Sequence, residues 1–485
     1  MTIKDLEPKI VWDNFYGLTR VPRPSKHEEK VQQYLLDWGK ARGIEVFRDD
    51  TGNIIFRKPA TPGYENRRGV IFQGHMDMVP QKTADTVHDF LTDPIETEVM
   101  GEWLGAKGTT LGADNGIGVC LGLSVLEDNT LKHGPVEVLV TYDEETGMTG
   151  AECLKPGVLQ GDILLNLDSE TEGELYMGCA GGLDGTADFR YDTVAAPEGW
   201  QSWKLTVKGL AGGHSGMDII LYRANANRAA ARIVLPLIEK YGVKIADFKG
   251  GSLRNAIPFE AEVTMLVNPE TLASVKADID KAFGEIKAEF AETDPSAVCI
   301  FEALEVPVTE YIEDCVALRA VKSVLACPNG VERMSASVEG LTETSNNLAV
   351  IRTENGHLVI RCLMRSSVDS AKEALALRMR SVFELAGAEF TTCGGYSGWT
   401  PKPDTPIIAT VKEVYRKLYG QEMKVMAIHA GLECALLGAK YPNWDMVSFG
   451  PTIVHPHSPD ERVKIDTVGR TWELVKALLE NIPEK

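Results

Sequence analysis

A chain of 485 residues, 44% apolar and 25% charged, is too long for one ordinary core and has the composition of a globular protein, so two or three domains are expected. Its net charge of −20, from 70 acidic against 50 basic residues, excludes nucleic acid and anionic membrane surfaces as natural partners. The 9 cysteines lie singly with no Cys-x-x-Cys pair, which excludes a thiolate zinc site, and no apolar run approaches the ~18 residues of a membrane span.

In chain order, Met1 to Glu7 lacks a basic start followed by an apolar stretch, so the expected location is cytoplasmic. Lys30 to Lys40 has helical spacing, Gly69 to Phe72 and Val136 to Tyr142 read as strands, and Gly118 to Leu126 reads as a helix. This alternation predicts an α/β domain, a mixed sheet flanked by helices. Past Cys179-Ala-Gly-Gly182 a turn-rich stretch leads into Ser202 to Val207, which alternates as a half-buried strand does, and a second domain is expected to begin.

A pattern of strand, helix, paired strands and helix then occurs twice. One copy has helix Ala224 to Lys240, strand Glu260 to Val267 and helix Ser274 to Phe290; the other has helix Tyr311 to Ala326, strand His357 to Met364 and helix Ala371 to Leu385. Each resembles a split βαβ unit, and two such units could cover each other's open faces. Cys393 to Asp404, dense in Gly and Pro, reads as a crossing back, followed by helical patterns around Ile408 to Tyr419 and Thr471 to Leu479. The simplest organisation is residues 1–183 and 393–485 as one α/β domain, with 184–392 inserted as an α+β domain of two split-βαβ-like halves.

The chemistry-bearing residues cluster where apolar strands end. Val70-Ile-Phe-Gln-Gly-His75-Met-Asp77, Val138-Leu-Val-Thr-Tyr-Asp143-Glu144-Glu145 and Ile163-Leu-Leu-Asn-Leu-Asp168 each deliver imidazole or carboxylate at a carboxyl end, where ligand crevices of open α/β sheets lie. Asp114 stands where a helix begins, and by itself reads as a helix cap in preference to a ligand, by roughly two to one. Two histidines, His455 and His457, share a proline-rich loop late in the chain. Like charges gathered in one crevice repel unless cations offset them, and a mixed set of imidazole and carboxylate suits zinc, manganese or cobalt better than calcium or magnesium. A two-metal hydrolase needs a bridging carboxylate, terminal ligands on each ion and a free carboxylate to move protons, and these residues can supply each part.

The series His-Met-Asp, Gly-Ala-Asp-Asn-Gly, Asp-Glu-Glu-Thr-Gly, Asn-Leu-Asp-Ser-Glu, Gly-Gly-His-Ser-Gly and His-Ser-Pro-Asp-Glu resembles the zinc-dependent dipeptidase and carboxypeptidase family that includes carnosinases, over essentially the whole chain. Within that family it is most similar to the bacterial aminoacylhistidine dipeptidases. The resemblance implies two Zn²⁺ per chain, with Mn²⁺ or Co²⁺ as substitutes. His75, Asp114 and Asp168 would hold one ion, and Asp114, Glu145 and His457 the other. Asp77 would orient His75, and Glu144 would be the general base acting on a water between the zincs. Adjacency alone does not say which of Glu144 and Glu145 touches metal, and His455 competes with His457 until the His-Ser-Pro pattern is considered.

The same resemblance makes the inserted domain a lid that brings His214, Asn255 and Arg365 to the substrate, to stabilise the oxyanion and grip a C-terminal carboxylate. His429 and Glu433 fall in line as pocket-wall residues. Their spacing resembles half of a helical zinc site, but the His-Glu-x-x-His motif is absent. The activity implied is hydrolysis of dipeptides, including Xaa-His dipeptides such as carnosine, by a chain that the resemblance allows to form a homodimer. An N-acyl amino acid deacylase is the alternative on the same scaffold. A zinc-binding scaffold without catalysis is disfavoured, because neither Asp77 nor Glu144 is needed merely to bind metal.

Overall fold

A computed structural model describes residues 1–485. The chain forms two compact units: one comprises Met1–Gly178, Trp399–Ala427 and Leu432–Lys485, the other Cys179–Gly398 and Ile428–Gly431.

The first unit is built on an eight-stranded mixed sheet in the order Glu45–Arg48, Ile54–Lys58, Val136–Thr141, Val70–His75, Ile163–Asn166, Asp445–Ser448, Glu174–Cys179, Lys424–Ile428. Its four central strands, 136–141, 70–75, 163–166 and 445–448, run parallel. Three of them, Val136–Thr141, Val70–His75 and Ile163–Asn166, are buried at every residue, which is why they read as continuous apolar runs rather than alternating ones. Parallel strands place all their carboxyl ends on one edge, with His75 opposite Thr141 and Gln73 opposite Asn166. Helices Lys9–Thr19, Glu29–Ala41, Ala113–Glu127, Pro406–Tyr419, Glu433–Lys440 and Ile465–Asn481 pack around this sheet. A separate four-stranded sheet includes Ile453–Val454 and Arg462–Lys464, so the loop carrying His455 and His457 is the connection of an antiparallel hairpin.

The second unit is one large antiparallel sheet made of two like halves. The order Val298–Ala303, Gln201–Lys208, Ala261–Val267, Lys244–Gly250 continues directly into Thr342–Glu354, His357–Ser366, Gly181–Arg190, Glu389–Tyr396. In each half the two strands that follow one another as neighbours are inner and edge, and the first strand lies beside the last, the pattern of a split βαβ unit. The halves meet edge to edge, with Gly250 opposite Ile351, and do not cover each other face to face as the sequence pattern allowed. That one pairing joins the edge strands of the two halves into a continuous sheet. Helices Ala226–Tyr241 and Leu272–Glu289 of one half and Asp314–Ala326 and Asp369–Leu385 of the other share one core, in which Ile233, Phe248, Val263, Ile360, Met379 and Phe383 are buried. The first of these helices begins where the Asn225 side chain accepts the Arg228 N–H at 3.2 Å, and it ends at Gly242, whose φ of +66° suits the left-handed stop.

Several boundaries differ from the sequence pattern, and the helix read as Gly118 to Leu126 spans Ala113–Glu127. Tyr311 lies in the strand Glu310–Ile312, and its helix starts only at Asp314; Cys393 to Tyr396 still belongs to a strand, so the crossing back begins nearer Trp399. No helix is long and apolar enough to cross a membrane.

Candidate metal centre

Four loops at the carboxyl edge of the parallel strands converge on Asp114. His75 is the last residue of its strand, Glu144 and Glu145 open a short helix after strand 136–141, Asp168 follows strand 163–166, and His457 comes from the hairpin connection. Asp114 Oδ1 lies 3.2 Å from His75 Nε2, and its Oδ2 lies 3.2 Å from His457 Nε2. His457 Nε2 also faces Glu145 Oε2 at 3.0 Å, while His75 Nε2 faces Asp168 Oδ1 at 3.5 Å. One carboxylate therefore joins two groups, His75 with Asp168 and His457 with Glu145. His455 is exposed and touches none of these acids; Ser458 donates to its carbonyl oxygen at 2.9 Å.

Asp114 is not a side-chain cap. The residue before the helix is Gly112 at φ +69°, Asp114 and Asn115 have non-helical backbone, and the Asp114 carboxylate turns toward the histidines. Asn115 fastens the start of the helix instead, donating from Nδ2 to the Leu167 carbonyl at 2.6 Å.

The electrostatics show a demand for positive charge. Asp114 and Glu145 push His457 up to about 11, and although burial opposes it, Asp168 and Asp114 drive His75 well above its usual value. Burial, aided by Asp114 and Glu145 and opposed by His75, raises Asp168 to about 6. Against its own burial, Asp114 is held below the usual carboxylate range by His457 and His75. Buried Glu145 Oε1 has no hydrogen-bond partner, and Asp168 Oδ1 has only the long contact to His75 Nε2 at 3.5 Å. Poorly paired buried oxygens among acids and imidazoles fit divalent cations, and one donor atom each from His75, Asp114 and Glu145 lies within 4.8 Å of the others.

Asp77 is fully buried and already saturated. It faces His75 Nδ1 at 3.3 Å through Oδ1, which also accepts the Glu144 N–H at 3.0 Å; Oδ2 accepts the Glu145 N–H at 3.2 Å and the Ser25 hydroxyl at 2.8 Å. Burial works against its charge, but these donors hold its pKa down to about 2. Four filled acceptor positions suit a residue that orients a ligand rather than one that binds metal. Glu144 is half-buried; burial, with Asp168, Glu433 and Glu145 nearby, lifts it well above the carboxylate range although His75 opposes this. Glu433 lies fully buried, accepting from Gln73 at 2.6 Å and from Thr141 at 2.7 Å, with burial the main cause of a pKa near 8.

The other predicted residues lie in the second unit. His214 sits in a two-stranded ribbon against Ala256, and its Nδ1 accepts the backbone N–H groups of Gly216 at 3.3 Å and Met217 at 3.1 Å. That fixes the tautomer with the proton on Nε2, and burial together with Arg365 lowers its pKa, so the ring is a neutral donor. Asn255 is exposed, and its carbonyl accepts the Ser215 N–H at 2.8 Å. Arg365 is only 5% exposed, yet its partners are neutral hydroxyls, Ser215 Oγ at 3.2 Å and Tyr396 OH at 3.3 Å. His429 is buried beside Ser345, 2.7 Å from Nε2 to Oγ. His214 belongs to the separate ribbon and Ser215 follows it, whereas Arg365 and Tyr396 lie on strands of the large sheet, so the Ser215 contact ties the ribbon to that sheet. The sequence pattern did not single out Ser215, Ser345 or Tyr396. Ser215 stands within the Gly-Gly-His-Ser motif and Tyr396 within the glycine-rich stretch, so their motifs were visible while their contacts were not.

Residues 71–481 match Peptidase family M20/M25/M40. The chain is 44% identical to the cytosol non-specific dipeptidase of Escherichia coli (strain K12), covering 100% of this chain and 99% of the relative. A crystal structure of aminoacylhistidine dipeptidase from Vibrio alginolyticus superposes with a TM-score of 0.93 at 48% identity, covering 100% of this chain and 99% of that one. Aminopeptidase PepT from Bacillus cereus ATCC 10987 shares the fold at a TM-score of 0.58 and 17% identity, covering 98% and 99% of the two chains. With its acids and imidazoles gathered at the carboxyl edge of a parallel sheet and the match spanning most of its length, the chain belongs to the M20/M25/M40 family of metallopeptidases.

Proposed function

We propose that this enzyme hydrolyses dipeptides with a pair of zinc ions, replaceable by manganese or cobalt, in the cytoplasm. The observation that carries the reading is Asp114, whose two oxygens face different histidines at 3.2 Å each. His75 and Asp168 would complete one metal position and Glu145 and His457 the other. A metal pair so held supplies acidified water and polarisation of the peptide carbonyl.

The remaining roles belong to the chain itself. Glu144, beside the His457 partner Glu145 but without that contact, takes the proton from water and returns it to the leaving amine, and burial raises its affinity for that proton. Asp77 fixes the His75 ring. We assign residues 184–392 as a lid in which neutral His214 donates from Nε2 to the developing oxyanion, a contact worth about 3 kcal/mol in the transition state. Arg365 grips the substrate's C-terminal carboxylate, since its guanidinium is buried and hydrogen-bonds hydroxyls, while Asp184, the acid within electrostatic reach, is paired directly with Arg254. Asn255 contacts the substrate beside His214, and His429 and Glu433 line the pocket.

The two full-length relatives, one named a dipeptidase and one an aminoacylhistidine dipeptidase, support dipeptides as substrates and Xaa-His dipeptides such as carnosine among them. The test is a panel of carnosine, other dipeptides, tripeptides and N-acetylated analogues offered to metal-reconstituted enzyme. Turnover of free dipeptides with little cleavage of acetylated ones supports the reading; turnover of acetylated compounds alone makes the enzyme a deacylase.

A further inference from the structure

Glu461 stands in the same hairpin connection as His457 and is only 2% exposed. Its carboxylate accepts four consecutive backbone N–H groups. Oε2 takes Leu111 at 2.8 Å and Gly112 at 2.9 Å, and Oε1 takes Ala113 at 2.7 Å and Asp114 at 3.1 Å. Successive N–H groups turned toward one point form an anion-binding nest at a helix start, and here the anion is a side chain of the same protein.

Arg23, also 2% exposed, holds the other side of this segment. Its guanidinium donates to the Gly112 carbonyl through Nη2, and through Nη1 to the carbonyls of Met76 at 2.9 Å and Asp77 at 3.0 Å. The stretch Leu111–Asp114 is therefore gripped by its N–H groups from the His457 loop and by a carbonyl from a residue that also ties down the chain just after His75. Gly112 must be glycine twice over: its φ is +69°, and a Cβ there would collide with the Arg23 guanidinium.

We infer that Glu461 is a positioning residue for Asp114. It fixes the backbone from which Asp114 reaches both histidines, and it does so from the loop that delivers one of them, so the spacing between Asp114 and His457 is set by a single carboxylate. The inference rests on the two-metal reading of Asp114. A glutamine has the same shape, but its amide nitrogen would face two N–H donors, leaving those donors unpaired and pushing the segment away.

The experiment compares the full-length parent with Glu461→Gln by chelator competition for zinc and by Tm with and without zinc, together with kcat at low and saturating zinc. The variant is expected to fold, to bind zinc about 10- to 100-fold more weakly, to gain less Tm on zinc addition, and to recover turnover as zinc is raised. If Glu461→Gln does not fold, Glu461→Asp, which keeps the charge on a stem one methylene shorter, is held to the same expectations. Zinc affinity equal to the parent's, with only a uniformly lower Tm, overturns the inference and leaves Glu461 a structural cap. A parent that binds no metal pair overturns the reading of Asp114 and this inference with it.

Discussion

Asp77 holds the Glu144 N–H at 3.0 Å with the same oxygen that faces His75 Nδ1 at 3.3 Å, so one buried carboxylate sets both a proposed metal ligand and the start of the acid pair. Asp77→Asn would present an amide nitrogen to part of a shell made of donors. We expect metal affinity to fall by about 10- to 100-fold and kcat to stay depressed at saturating metal, because Glu144 is displaced as well. Full recovery of kcat on metal addition would confine Asp77 to the His75 side.

Glu144 and Glu145 are adjacent but differently placed, since only Glu145 faces His457, at 3.0 Å. Glu144→Gln should keep the parent's metal content and lose at least about 10²-fold in kcat, the size of one general acid–base contribution. Glu145→Gln should lose metal. Elemental analysis of both variants beside turnover checks this, and the opposite pattern would exchange the two roles.

The hydroxyl partners of Arg365 can orient a guanidinium without neutralising it. Lysine cannot reproduce two parallel hydrogen bonds to a carboxylate, so Arg365→Lys should cost about 1.5 to 3 kcal/mol in kcat/KM on free dipeptides, a loss of roughly tens-fold or more. Amidated dipeptides should be poor substrates of the parent and lose much less in the variant. Equal losses on both would mean that Arg365 only supports the sheet.

His429 offers a test through pH. Burial, reinforced by Arg365 and His214, lowers its pKa to about 3, so the folded protein keeps the ring neutral while an unfolded chain protonates it below about 6.5. The unfolded state then binds more protons, and stability falls as pH drops from about 6.5 toward 3, with no contribution above that window. The slope for one such group is about 1.4 kcal/mol per pH unit. Metal-free parent should therefore lose stability between pH 6.5 and 5.5 faster than His429→Gln does, in denaturant unfolding at each pH. Parallel curves would place the proton on His429 in both states.

Much of the site was legible because the strands that carry it are buried on both faces. Runs such as Val70–Phe72 and Ile163–Leu165 read as buried central strands, and in parallel strands the His and Asp residues that follow them emerge at one edge. The Glu461 nest was not legible: a lone acid after Ser-Pro-Asp has no periodicity, and its partners are backbone groups near position 112 that any sequence possesses. The same holds for the hydroxyls on Arg365, since neither Ser215 nor Tyr396 differs in sequence from a solvated polar residue. The repeat in the second unit showed its helices and hairpins, but one half draws its inner strand Gly181–Arg190 from upstream of the entire other half. Local patterns do not encode such nesting, nor the choice of edge pairing over face packing.

The proposed function stands or falls on Asp114 joining two metal positions that act together. The direct measurement is a titration of zinc into chelated, verified metal-free enzyme, with bound metal counted and dipeptide hydrolysis followed at each addition. Two ions per chain are expected, with turnover appearing as both are filled and His457→Ala retaining fewer ions than the parent. Full turnover in the metal-free enzyme, or a chain that saturates at one ion with maximal activity, would contradict this.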